Sequence, residues 1–72
     1  MEVVDAKNIQ CPMPIVKLAK AIKTIATGEK IQIEATDLAF EADISAWCEQ
    51  TQNSLINFST KDGVFTAIIQ KK

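Results

Sequence analysis

Residues 10–36 read QCPMPIVKLAKAIKTIATGEKIQIEAT, and two different periodicities meet inside that stretch. Ile15, Leu18, Ala19, Ile22, Ile25 and Ala26 recur at the spacing of one helical face. Ile31, Ile33 and Ala35 instead alternate with Gln32 and Glu34. The first pattern describes an amphipathic helix and the second a strand with one covered and one wet face. Gly28 stands between them as a helix stop. The stretch therefore predicts a helix over residues 12–26 and a strand over residues 30–36. Pro12 suits the first helical position, because the N–H it lacks would have no partner there. The residue before a proline is pushed into extended geometry, which an N-cap needs, so Cys11 is predicted as the cap with its sulfur at the positive end of the helix dipole.

Working outward, residues 2–6 form a short alternating strand, and residues 7–10 link it to the helix through Asn8, a residue that tolerates a left-handed turn. A strand, a helix and a second strand make a crossover unit, so these two strands should be parallel and the connection right-handed. Beyond Thr36, Phe40, Ile44, Trp47 and Thr51 share a helical face, with Cys48 on its flank. Asp37 and Asp43 compete as its start signal; the reading favours a turn over residues 38–42 and a helix over 43–52. Residues 54–60 and 64–70 flank Lys61-Asp62-Gly63, a hairpin signature.

The predicted order is β-α-β-α-β-β. It implies an α+β fold, a two-layer α/β sandwich in which both helices cover one face of a four-stranded mixed sheet. Both helix N-termini then lie at one end, gathering Cys11, Asp37 and Asp43 at one rim. With 72 residues the chain is expected to form a single domain, 1–72, with one core.

Composition narrows the chemistry. The chain is 47% hydrophobic and 24% charged, which is globular rather than disordered. Its start shows no signal peptide and no segment is long and apolar enough to span a membrane; two cysteines make no disulfide framework, so a reducing, cytoplasmic setting is expected. Histidine, tyrosine and arginine are absent. Hydrolase chemistry with a His base is thereby excluded, and two cysteines without histidine cannot complete a tetrahedral zinc set. A net charge of −1 gives no general pull toward nucleic acid. What remains available is cysteine, lysine, carboxylate and backbone, with no cofactor required.

The two cysteines read differently. A helix N-terminus lowers a thiol pKa, and with Pro12 and Pro14 lacking N–H groups, the Met13 amide is the first-turn donor expected to reach the Cys11 sulfur. Cys48, mid-helix beside an apolar stripe, is expected to pack in the core. An axial offset of at least ~7 Å plus an interaxial gap of about 8–10 Å keeps it from bridging to Cys11. Trp47 and Phe40 are expected in the core. Lys17, Lys20 and Lys23 form a solvated stripe that could also receive an acidic partner or, less readily, an RNA backbone. Asp37 and Asp43 are read as caps that could also repel stray nucleophiles from Cys11.

With Cys11-Pro12-Met13-Pro14 in view, the sequence resembles the TusA/SirA-like family of sulfur carriers over nearly its whole length. Asp5, Gly28, Ala35-Thr36-Asp37, Asp43-Ile44, Trp47-Cys48 and Asp62-Gly63 fall at family spacing. The chain departs from the family pattern at Asn8-Ile9 and Gln52-Asn53, where Gly-Leu and Gly-His are usual. It departs again at Leu38 and Ser45, where proline is common, and at Ala42, where a basic residue is common. The resemblance implies that Cys11 takes sulfane sulfur from a cysteine desulfurase or rhodanese-like donor and passes it as a persulfide to an acceptor protein, toward tRNA 2-thiolation or another sulfur-trafficking pathway. Pro12, Met13 and Pro14 would support the cysteine, and Lys17, Lys20, Lys23, Asp37 and Asp43 would meet partners. Such a relay is sulfurtransferase-like but needs no acid–base machinery, being a thiolate displacement at sulfur. The alternative is a regulatory or protein-binding module of the same fold, with Cys11 as redox sensor or structural cap. A lowered Cys11 pKa would favour the carrier, and an ordinary or raised one the module.

Overall fold

The computed structural model describes residues 1–72 and has the element order β1 (Glu2–Ala6), α1 (Met13–Ile22), β2 (Lys30–Ala35), α2 (Phe40–Thr51), β3 (Ser54–Lys61) and β4 (Val64–Gln70). The sheet order is β1-β2-β4-β3. β1 pairs parallel with β2, in register Val4 to Ile33, and the other two pairings are antiparallel. This is the α+β sandwich that the sequence predicts.

Alternation along the strands builds the core. Val4 and Ala6, then Ile31, Ile33 and Ala35, then Ala67 and Ile69 turn to one face, where Leu18 and Ile22 of α1 and Phe40, Ile44 and Cys48 of α2 close over them. Phe58 bridges the layers, its ring stacked on Phe40 at 6.1 Å and on Phe65 at 5.9 Å. A register shift between Leu55 and Asn57 lets β3 keep Phe58 inward while leaving Ile56 exposed. No helix is long and apolar enough to cross a membrane.

Two boundaries and one helix face differ from expectation. α1 ends at Ile22, short of residue 26, because the chain beyond it bonds elsewhere. The Lys71 amine donates to the Ile25 carbonyl at 2.7 Å, and the Gly28 N–H to the Lys71 carbonyl at 2.9 Å. The segment is thereby laid along the end of β4, with Gly28 at φ +87°. α2 begins at Phe40 rather than Asp43, since Asp37 prevails as the start signal: its Oδ2 accepts from the Ala39 N–H at 3.1 Å and its carbonyl from Phe40 N–H at 3.1 Å. The buried face of α2 is Phe40, Ile44 and Cys48, spaced by four, so Trp47 is only half-buried and Thr51 is exposed.

Candidate functional site

The rim forms where β1 leads into α1 and β2 into α2. Asn8 takes φ +64°, and its N–H donates to Thr36 Oγ1 at 2.9 Å, tying the two loops together. Asn8 thus supplies the left-handed residue this loop needs. Cys11 follows, half-exposed and free; Cys48 is also free but buried.

Cys11 is not the cap of α1. The Met13 N–H donates to the Gln10 carbonyl at 3.0 Å, closing a turn over residues 10–13 that contains the cis Cys11–Pro12 peptide. Pro12 is the N-cap residue, without a side-chain cap bond, and its carbonyl accepts from Val16 N–H at 3.0 Å. The Met13 amide is therefore spent on Gln10 and is not the sulfur's donor. Pro14 lies in the first turn with its ring buried, an anchor in the core rather than only a missing donor.

The rim gathers Cys11, Asp43 and Asp37, as right-handed crossovers require, with an electrostatic result opposite to the expected one. Burial, then the neighbouring carboxylates of Asp43 and Asp37, push the Cys11 thiol up to about 12. Burial disfavours the charged thiolate, and a carboxylate beside the thiol opposes its ionisation further. Neither aspartate forms an ion pair within the chain, whose two salt bridges join Lys7 to Asp5 and Glu34. Burial alone pushes the Cys48 thiol up.

Lys17, Lys20 and Lys23 are exposed along α1, and none acts on the Cys11 thiol. Lys17 and Lys20 instead border an open groove of about 520 Å³ between α1 and β1. Two apolar side chains stand exposed at the rim: Met13, read from the sequence as a support of Cys11, is 50% exposed, and Leu38, a departure from the family pattern next to Asp37, is 89% exposed. The signal for Leu38 was its place just after the capping aspartate, where the chain turns outward before α2.

Fold and rim define a small α+β protein that presents one free thiol in the turn before its first helix. The chain belongs to the TusA family: the family model for sulfurtransferase TusA matches residues 2–71. It is 37% identical over 71 residues, covering 99% of this chain and 96% of the relative, to a candidate sulfur carrier protein of Neisseria meningitidis serogroup A. It is 31% identical over 67 residues, covering 93% of this chain and 88% of the relative, to the sulfur carrier protein TusA of Allochromatium vinosum. In three dimensions it matches the crystal structure of the SirA-like protein from Desulfitobacterium hafniense with TM-score 0.86 at 21% identity, over 97% of this chain and 96% of that one.

Proposed function

We propose that the chain is a sulfur carrier that holds sulfane sulfur as a persulfide on Cys11 and relays it between proteins. The observation that carries the reading is a free, half-exposed cysteine at the rim of a TusA-family fold. In the accepting step the Cys11 sulfur attacks the outer sulfur of a donor persulfide. The donor's S–S bond breaks, its electron pair leaves on the donor thiol, and the proton from Cys11 ends there. Donation reverses the roles: an acceptor thiolate takes the outer sulfur and Cys11 recovers its proton.

The high thiol pKa, opposite to the lowered one expected of a carrier, sets a condition on such a relay. A sulfur that resists ionisation is both a reluctant nucleophile and a reluctant leaving group, so the persulfide is retained until a partner changes its surroundings. Met13 and Leu38 give a partner apolar contact at that rim. A cysteine desulfurase or rhodanese-like donor and a downstream acceptor, on the route to tRNA 2-thiolation or another sulfur-trafficking destination, are the partners this chemistry asks for. Residues 1–72 would act as one domain in the reducing cytoplasm.

The raised pKa is the outcome expected of the second reading, a partner-binding module in which Cys11 carries no sulfur; its variant as a helix cap is overturned by Pro12 holding that position. Intact-mass measurement after incubation with a cysteine desulfurase and cysteine separates the two. The carrier reading expects a gain of one sulfur atom, lost in Cys11→Ser and kept in Cys48→Ser. No gain with any of several donors would leave the module.

A further inference from the structure

β1 is an edge of the sheet, and its outer side is open. Its outward backbone finds one partner, the Lys17 amine, which donates to the Asp5 carbonyl at 2.8 Å. The N–H and C=O of a strand residue point to the same side, and the sides alternate along the strand. The outward Asp5 carbonyl therefore puts the Asp5 N–H and both backbone groups of Val3 on that open edge. Beside the edge runs the groove of about 520 Å³, with Lys17, Lys20 and Thr24 on its helical wall. Val3 is 54% exposed there.

Two lysines of this groove, Lys17 and Lys20, have no carboxylate partner within the chain. Of its two carboxylates, Asp5 pairs with Lys7 at 3.2 Å, while Glu2 meets no cation, and the Thr24 hydroxyl beside it donates to the Ala21 carbonyl at 2.7 Å. Lys17 holds only a carbonyl.

We propose that an acidic, extended segment of a partner protein docks here by strand addition, pairing with the backbone of Val3 and Asp5 while its carboxylates reach Lys17 and Lys20. Strand addition takes affinity from main-chain hydrogen bonds and specificity from alternate side chains, and this edge offers both. In the free protein Lys17 blunts the edge, as lysines on edge strands do; on docking its amine turns from the Asp5 carbonyl to the incoming acid. A second copy of this chain would bring both signs to the edge, its own lysines as well as Glu2, and is less complementary to Lys17 and Lys20 than an acidic segment. Nucleic acid matches the charge but has no peptide groups to pair with the edge. The proposal rests on the β1 edge and holds whether or not Cys11 carries sulfur.

The test uses the full chain and a labelled peptide of about ten residues alternating Glu with Val, long enough to span a strand. Anisotropy should report saturable, salt-sensitive binding, and the Val3 and Asp5 amides should exchange more slowly in the complex. N-methylation of the peptide on its pairing edge, or Lys17→Glu with Lys20→Glu, should weaken binding by about tenfold or more. Lys61→Glu, on the far edge strand, should leave it unchanged, as should Cys11→Ser. Equal binding by the N-methylated peptide would reduce the site to a charge patch and overturn strand addition. So would absent binding at millimolar peptide, protection of both amides already in the free protein, or binding of a single-stranded oligonucleotide but not the peptide.

Discussion

The thiol of Cys11, in the turn before α1, faces the carboxylate of Asp43, in the first turn of α2. Two helix N-termini meet at this rim, and each alone would favour an anion. The positive end of α2 is already answered by its own acids, Glu41 and Asp43 in the first turn and Asp37 just before it. Those carboxylates turn the rim against a second negative charge, and the second charge would be the Cys11 thiolate.

Replacing Asp43 by Asn should therefore make Cys11 more reactive. With the thiol held near 12 rather than an ordinary 9.0, the thiolate population at pH 8 falls about 10³-fold. A more basic thiolate recovers roughly 20-fold in intrinsic nucleophilicity, leaving alkylation tens-fold slower than a free cysteine. The pH profile of iodoacetamide labelling should rise only toward pH 12 in the wild type and at lower pH in Asp43→Asn. Identical profiles would show that Asp43 does not govern the thiol.

Phe40→Ala should be the most damaging of the simple truncations in α2. Phe40 is fully buried, stacks on Phe58 and closes α2 onto the sheet. Losing it should cost about 3–5 kcal/mol. At about 0.05–0.15 kcal/mol per residue the whole chain is worth only roughly 4–11 kcal/mol, so the variant should be largely unfolded at modest urea. A shift of the urea midpoint by a few tenths molar only would contradict this placement.

How far the sequence carried the fold follows from which signals are local. Ile31, Ile33 and Ala35 face the core because period-two alternation is a property of the strand itself, and Asp62-Gly63 makes its turn for the same reason. The end of α1 was not legible, because the Lys71 amine and carbonyl that hold Ile25 and Gly28 arrive from the other end of the chain. The site divides likewise. That Cys11 and two aspartates share a rim follows from topology; the sign of their effect depends on which groups touch. Burial of the thiol first, then the carboxylates of Asp43 and Asp37, with the Met13 amide taken by Gln10, decide that, and none of these has a sequence signature.

Gln52→Gly should stabilise the protein. Gln52 ends α2 at φ +63°, left-handed geometry that costs a side-chain-bearing residue about 1 kcal/mol and glycine almost nothing. The Lys72 amine loses its Gln52 side-chain acceptor in the variant, an exposed contact of small worth. A net gain of about 0.5–1 kcal/mol should raise Tm by several degrees in a chain of this size. Asn8→Gly, at another left-handed position with φ +64°, should gain less, since asparagine already tolerates that conformation.

Lys7 joins β1 to β2, its amine 3.2 Å from Asp5 and 3.0 Å from Glu34. The Asp5 carboxyl lies below its ordinary value first because its Oδ1 accepts the Lys7 backbone N–H at 3.0 Å, and next because the Lys7 amine bonds it. Lys7→Met removes the second cause and keeps the first, so the Asp5 pKa should rise only part of the way back, followed by carboxyl-carbon NMR through the acid range. A depressed carboxyl pKa stabilises the fold above its unfolded value and gives that up as pH falls through the folded one. The variant should thus lose a little of its stability at neutral pH and show a flatter acid limb. The loss should be small, as for exposed ion pairs generally. A full return of Asp5 to its ordinary value would mean that the Lys7 side chain, and not its N–H, holds the carboxylate.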